Sequence, residues 1–107
     1  MGVIAVDKNN FKKEVIDHKG MVFVDFFADW CGPCKITSPI IDQLAEENKA
    51  VKFVKINVDQ NPDLATQYSI FSIPTFIIFK NGKSVSQFYG ALSKETFAAE
   101  IDKALRA

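Results

Sequence analysis

Several things are scarce in this sequence. In 107 residues it has two cysteines, one histidine and one tryptophan. A structural zinc site draws four ligands from Cys and His, so carboxylates or a second subunit would have to complete one here. Neither charge is in excess, with 13 Lys+Arg against 13 Asp+Glu. That balance argues against a nucleic-acid footprint or a polybasic membrane surface, short of a local patch. No apolar run approaches the roughly 20 residues of a membrane span. The opening "MGVIAVDKNN" lacks a basic region, an apolar core and a small-residue cleavage site. Val6 stands where a myristoylation signal requires Ser or Thr. The default expectation is a cytoplasmic monomer with no membrane and no nucleic-acid partner. In a reducing compartment a thiol pair serves redox chemistry or metal more often than architecture.

Hydrophobic residues, by contrast, make up 48% of the chain, ten of them Phe. Length and composition suffice for one core, and residues 1–107 are expected to form a single domain. No repeat, low-complexity tract or linker interrupts them. "VIAV" (3–6) reads as a short strand. A helix from Phe11 to about Asp17 follows, capped by Asn9 or Asn10, with Phe11, Val15 and Ile16 on one face. "MVFVDFF" (21–27) is almost continuously apolar, as a strand buried on both faces should be. A helix runs from the cysteines to about Asn48, with Ile36, Ile40 and Leu44 on one face and a kink at Pro39. "VKFVKINV" (51–58) is the next strand. Asn61-Pro62 opens a short helix to about Tyr68. "TFIIFK", "NG" and "KSVSQFY" read as a hairpin around a type I′ turn. Ser93 caps a last helix, with Phe97, Ile101 and Leu105 on one face. The order βαβαβαββα implies an α/β fold, with parallel early strands and an antiparallel hairpin at one end. Both cysteines fall just after the carboxyl end of the second strand, where open α/β sheets place their sites.

Those cysteines lie in "DWCGPCK" (29–35). A Cys-x-x-Cys pair is half a zinc site, a structural disulfide or a redox couple. Ligand count disfavours zinc, and closing so short a loop removes little chain entropy. Redox chemistry fits better. Cys31 begins a helix, where unpaired N–H groups and the positive dipole end stabilise a thiolate, and Lys35 adds a nearby positive charge. Cys34, three residues on, is placed to attack a mixed disulfide formed by Cys31. Gly32 lets a partner backbone approach, and Pro33 stiffens the pair while giving up an N–H the first turn leaves unpaired. Asp25 interrupts the apolar strand between Phe23 and Phe27, which flags a functional or paired carboxylate. Desolvation should raise its pKa toward neutrality. It then either accepts the proton of Cys34 or serves structurally, paired to a lysine or a backbone amide.

"WCGPCK" resembles the active site of the thioredoxin family. "VDFFADWCGPCK", "KINVDQNP", "SIPTF", "FKNG" and "GALSK" resemble thioredoxin segments in the same order, from residue 24 to 94. The resemblance implies the thioredoxin fold: a central mixed five-stranded sheet flanked by four helices. It implies a protein disulfide reductase that binds no cofactor and cycles a Cys31–Cys34 disulfide, with Cys31 as nucleophile and Cys34 as resolving thiol. Asp25 matches the family's buried aspartate, and Lys55 the lysine that tunes it. Pro74 in "SIPTF" matches a cis proline beside the cysteines, leaving the Ile73 backbone free to pair with an extended peptide. Trp30, Ile73, Pro74, Gly90 and Ala91 would form an apolar rim for substrates. The implied partners are disulfide-bearing proteins and a thioredoxin reductase, either NADPH- or ferredoxin-linked. Two other readings use the same fold: an oxidase or isomerase of disulfides, and a binding module without turnover. Phe27, Phe71 and Tyr89 depart from residues common in the family and bear on substrate choice.

Overall fold

A computed structural model describes residues 2–107. Five strands form one sheet: β1 (Val3–Ala5), β2 (Met21–Phe27), β3 (Val51–Asn57), β4 (Thr75–Lys80) and β5 (Lys83–Tyr89). Their spatial order is β1-β3-β2-β4-β5. β1, β3 and β2 run parallel, and β4 and β5 join antiparallel. Three α-helices, α1 (Gly32–Glu47), α2 (Pro62–Gln67) and α3 (Lys94–Arg106), and a π-helical turn at Lys12–Ile16 flank the sheet.

β2 is paired on both edges and covered on both faces, which is why its sequence is apolar almost throughout. Period-2 alternation divides its side chains. Met21 and Phe23 point to the face shared with α1 and α3, among Ile41, Leu44, Phe53, Phe76, Phe97 and Ile101. Val22, Val24 and Phe26 point to the other face, with Phe11, Val15, Ile56, Leu64, Ile77 and Phe79. On the first face the Phe23 ring lies 5.0 Å from Phe53, and Phe76 meets Phe97 edge-on at 4.7 Å. Each fully buried Phe contributes about 1.5–3 kcal/mol from burial.

Three expectations are revised. The first helix is a π turn, in which the Asp17 N–H reaches back to the Lys12 carbonyl at 2.8 Å. Neither Asn9 nor Asn10 caps it. The Asn10 side chain accepts the Asp7 N–H in the preceding turn instead, and Phe11 holds the N-cap position. Phe11 and Val15 are both buried, as expected for one face of the helix. On α1 the buried stripe is Cys34, Thr37, Ile41, Leu44 and Ala45, while Ile36 is exposed and Ile40 only partly buried. Thr37 is fully enclosed because its hydroxyl donates to the Cys34 carbonyl at 3.1 Å, so a polar residue holds a core position and hides the period. On α3 Ala104, not Leu105, completes the buried face with Phe97 and Ile101.

The hairpin turn is of type I′, with φ of 52° at Asn81 and 83° at Gly82. It is tied to the rest of the fold: the Asn81 N–H donates to the Gly20 carbonyl, and the Gly20 N–H to the Asn81 side chain.

Candidate active site

β2 and β3 are parallel and α1 connects them, so the N-terminus of α1 follows the carboxyl end of β2. Cys31 is the N-cap of α1, with extended backbone at φ −84°, ψ 110°. Its Sγ accepts the Cys34 N–H at 3.2 Å, the bond an N-cap oxygen usually accepts. Pro33 lies in the first turn and donates nothing, so Cys34 offers the first free amide on that side. The two cysteines form a disulfide across a Cα separation of 5.3 Å. Both are nearly enclosed, at 3% and 6% exposure, so burial does not tell the two thiols apart. The helix-end bond to Cys31 Sγ does. Gly32, Pro33 and Lys35 are exposed around them, and a Cβ on Gly32 would meet open space.

Asp25 lies on the α1 side of β2, opposite Lys55 of β3 and Phe76 of β4. Only 7% of it is exposed, and its Oδ1 is buried without a hydrogen-bond partner. Burial raises its pKa from 3.8 to about 7. The Lys55 ammonium opposes that rise, and the Asp42 carboxylate of α1 adds to it. Lys55 itself is exposed, with its Nζ 6.0 Å from the centroid of the Phe27 ring. A carboxyl with this pKa exchanges a proton readily at neutral pH.

The apolar residues singled out from the sequence also converge, with differing exposure. Trp30 is 70% exposed, and its indole Nε1 donates to Asp59 Oδ2 at 2.8 Å. Ile73 is half-buried against Ala28, Cys31 and Cys34, along with Phe27 and Val58. The Ile73–Pro74 peptide is cis. The Gly90 N–H donates to the Pro74 carbonyl at 3.0 Å, which joins the Gly90–Ala91 segment to this edge. Among the described residues neither the N–H nor the carbonyl of Ile73 has a hydrogen-bond partner. Sequence reasoning does not single out Asp59, Asp42 or Val58. Asp59 and Asp42 break no pattern in the sequence, so nothing there marks them. Val58, the last residue of the expected strand 51–58, lies one residue past the end of β3, where its N–H continues the pairing to the Phe27 carbonyl at 2.9 Å.

The thioredoxin family profile matches residues 2–103. The chain is 48% identical over 104 residues to the thioredoxin of Pyropia yezoensis, covering 96% of this chain and 97% of that one. It is 52% identical over 101 residues to the thioredoxin of Chlorobaculum thiosulfatiphilum, covering 92% of each. With the M-type chloroplastic thioredoxin of Chlamydomonas reinhardtii it shares 43% over 102 residues, 94% of this chain and 73% of that protein. With its parallel and antiparallel strands in one sheet, a disulfide at the head of α1 and these relatives along nearly its whole length, the chain belongs to the thioredoxin family.

Proposed function

We propose that this thiol–disulfide oxidoreductase works as a general protein disulfide reductase. In the reduced protein Cys31 is the thiolate, because the amide end of α1 is directed at its sulfur. It attacks one sulfur of a substrate disulfide. A mixed disulfide forms, and the other substrate sulfur leaves as a thiolate that takes a proton from water. Asp25, ionised, accepts the proton of the Cys34 thiol. The Cys34 thiolate then attacks Cys31 Sγ, and the second substrate sulfur leaves. Two electrons have passed to the substrate, and Cys31 and Cys34 are left as the disulfide. Lys55 positions the equilibrium by favouring the charged form of Asp25. The free Ile73 backbone offers a hydrogen-bonding edge to an extended substrate segment, while Trp30, Pro74, Gly90 and Ala91 border the same edge.

The disulfide returns to the dithiol at the expense of a thioredoxin reductase, NADPH- or ferredoxin-linked. This cycle suits a reducing compartment such as the cytoplasm. No described helix is long and apolar enough to cross a membrane.

The bond from the Cys34 N–H to Cys31 Sγ carries the assignment. Cys34→Ser should accumulate a mixed disulfide with a protein substrate, visible by non-reducing electrophoresis, and Cys31→Ser should not. Trapping through Cys34 in the Cys31→Ser variant at an equal rate would reverse the order of attack. Titration against glutathione tests the direction of flow, since each factor of ten in the equilibrium constant is about 30 mV. A couple that stays reduced in excess oxidised glutathione would mark an oxidase instead.

A further inference from the structure

Phe71 is the most exposed large hydrophobic side chain among the described residues, at 92%. It stands at the lip of a cleft of about 310 Å³ whose walls include Trp30, Val58, Ala65, Ile70 and Ile73. Nothing charged lines this cleft. It is continuous with the disulfide, because Val58 and Ile73 border both. The two sides of its mouth are held independently. Trp30 is anchored by its hydrogen bond to Asp59. Phe71 follows the end of α2, where the Ile70 N–H donates to the Ala65 carbonyl at 2.8 Å and the Ser69 N–H to Thr66.

A soluble chain gains nothing from leaving a phenylalanine in water beside an uncharged hollow, unless something covers both. The hollow lies near the lower end of the roughly 300–1,000 Å³ range of binding sites. That is room for a side chain or two from an extended segment, and too little for a folded surface. Ile73 has the free backbone groups that would hold such a segment. Side chains of an extended peptide alternate between its two faces. While the substrate cysteine faces Cys31, a side chain near it in the sequence is directed into the cleft.

We propose that the Trp30–Phe71 cleft binds an apolar side chain next to the attacked cysteine, and so makes this chain prefer protein disulfides flanked by large aliphatic or aromatic residues. The preference rests on the reductase reading, but the binding itself does not require turnover. Phe71 acts here as a specificity residue. It touches no reacting atom, and its replacement leaves the Cys31–Cys34 chemistry in place.

The test uses disulfide-bonded peptides that differ only in having Leu, Phe, Ser or Asp at each of the three residues on either side of one cysteine. The parent should show kcat/KM about tenfold higher for Leu or Phe than for Ser at one or more of these positions, a ratio usual for an apolar pocket. Phe71→Ser should lose that ratio, and Phe71→Leu should keep most of it. All three proteins should reduce bis(2-hydroxyethyl) disulfide, which carries no apolar side chain to place in the cleft, at similar rates. A parent indifferent to the flanking residue, or a Phe71→Ser variant with an unchanged preference, overturns the proposal. A second measurement separates the cleft from the chemistry. The Leu or Phe peptide with its cysteine replaced by serine should shift the emission of Trp30, the only tryptophan. Phe71→Ser should weaken that binding about tenfold. Binding with this dependence but no reduction of any disulfide would refute the reductase reading and support the cleft. Reduction without such binding, and without a flanking preference, would do the reverse.

Discussion

Replacing Asp25 with asparagine tests whether a buried, titrating carboxyl destabilises this fold. The folded-state pKa stands at about 7, against 3.8 for an ordinary aspartate. Below 3.8 the carboxyl is protonated whether the chain is folded or not, and it adds no pH dependence. Between the two values the unfolded chain has released the proton and the folded chain keeps it. The folded state then binds more protons, so stability falls as pH rises. Above about 7 both states are ionised and the loss is complete. At about 1.4 kcal/mol for each pH unit, the interval amounts to about 4 kcal/mol. Asparagine keeps the shape and cannot ionise. Its amide inherits the unpartnered position of Oδ1, which costs about 1–2 kcal/mol. Asp25→Asn should therefore be more stable than the parent by about 2–3 kcal/mol near pH 8, roughly 10–20 °C in Tm. Near pH 4 the carboxyl penalty is almost gone and the unpartnered amide remains, so the variant should be weaker than the parent by about 1–2 kcal/mol. Urea unfolding of both oxidised proteins at several pH values measures the difference directly. A difference that does not grow with pH would refute the reasoning, because it would mean that the folded chain does not hold the proton. A variant less stable than the parent at pH 8 would show the carboxylate to be structurally paired.

Two backbone positions give sharper tests of the fold. Ser69 follows α2 with φ at 55°, in the left-handed region that a side chain disfavours. Ser69→Gly should raise the urea midpoint by an amount worth about 0.5–1 kcal/mol, the strain relieved less the freedom glycine gains when unfolded; an unchanged or lower midpoint would contradict this. Gly82 combines φ of 83° with a close approach, since a Cβ there would lie 2.5 Å from the Ile16 carbonyl oxygen. Gly82→Ala should cost about 2–4 kcal/mol in the same assay, because backbone rather than a mobile side chain has to yield. A cost under about 0.5 kcal/mol would mean that the turn moves freely off the π-helical turn.

The elements that were legible are those whose signals are local. The β2 run and the Asn81-Gly82 hairpin were bounded correctly because continuous apolarity and turn chemistry act within a few residues. The helix faces were less legible. Ile36 and Leu105 fit a helical period as well as the true core residues do, but they face solvent. α1 is oriented by Ile41, Leu44 and Ala45, which pack in the core with Phe23, Phe53 and Phe97, while Thr37 shares the buried face because its hydroxyl is satisfied within the helix, so a hydrophobic pattern does not register it. The π turn has no signal in the hydrophobic pattern, because Phe11 and Val15 share a face in an α-helix as well; the Phe11 ring packs 5.5 and 6.1 Å from those of Tyr68 and Phe79.

The candidate site divides along the same line, and the division has a chemical sense. Asp25 was visible because it breaks a pattern: a charge on a strand that is otherwise apolar has to be desolvated, and desolvation gives it the pKa that proton transfer at neutral pH needs. The burial that would make it useful in the proposed mechanism also makes it costly, so one residue would supply both the reactivity and the instability. Asp59 breaks no pattern. It matters only because the chain returns Val58 and Asp59 beside Trp30, 29 residues earlier, and fixes the indole without burying it. In the mechanism proposed above, charge placed in the core tunes the reaction, while charge placed at the rim only orients a wall. Substitutions at the rim should therefore redistribute preference among substrates, and those at Asp25 should change the pH dependence for all of them alike.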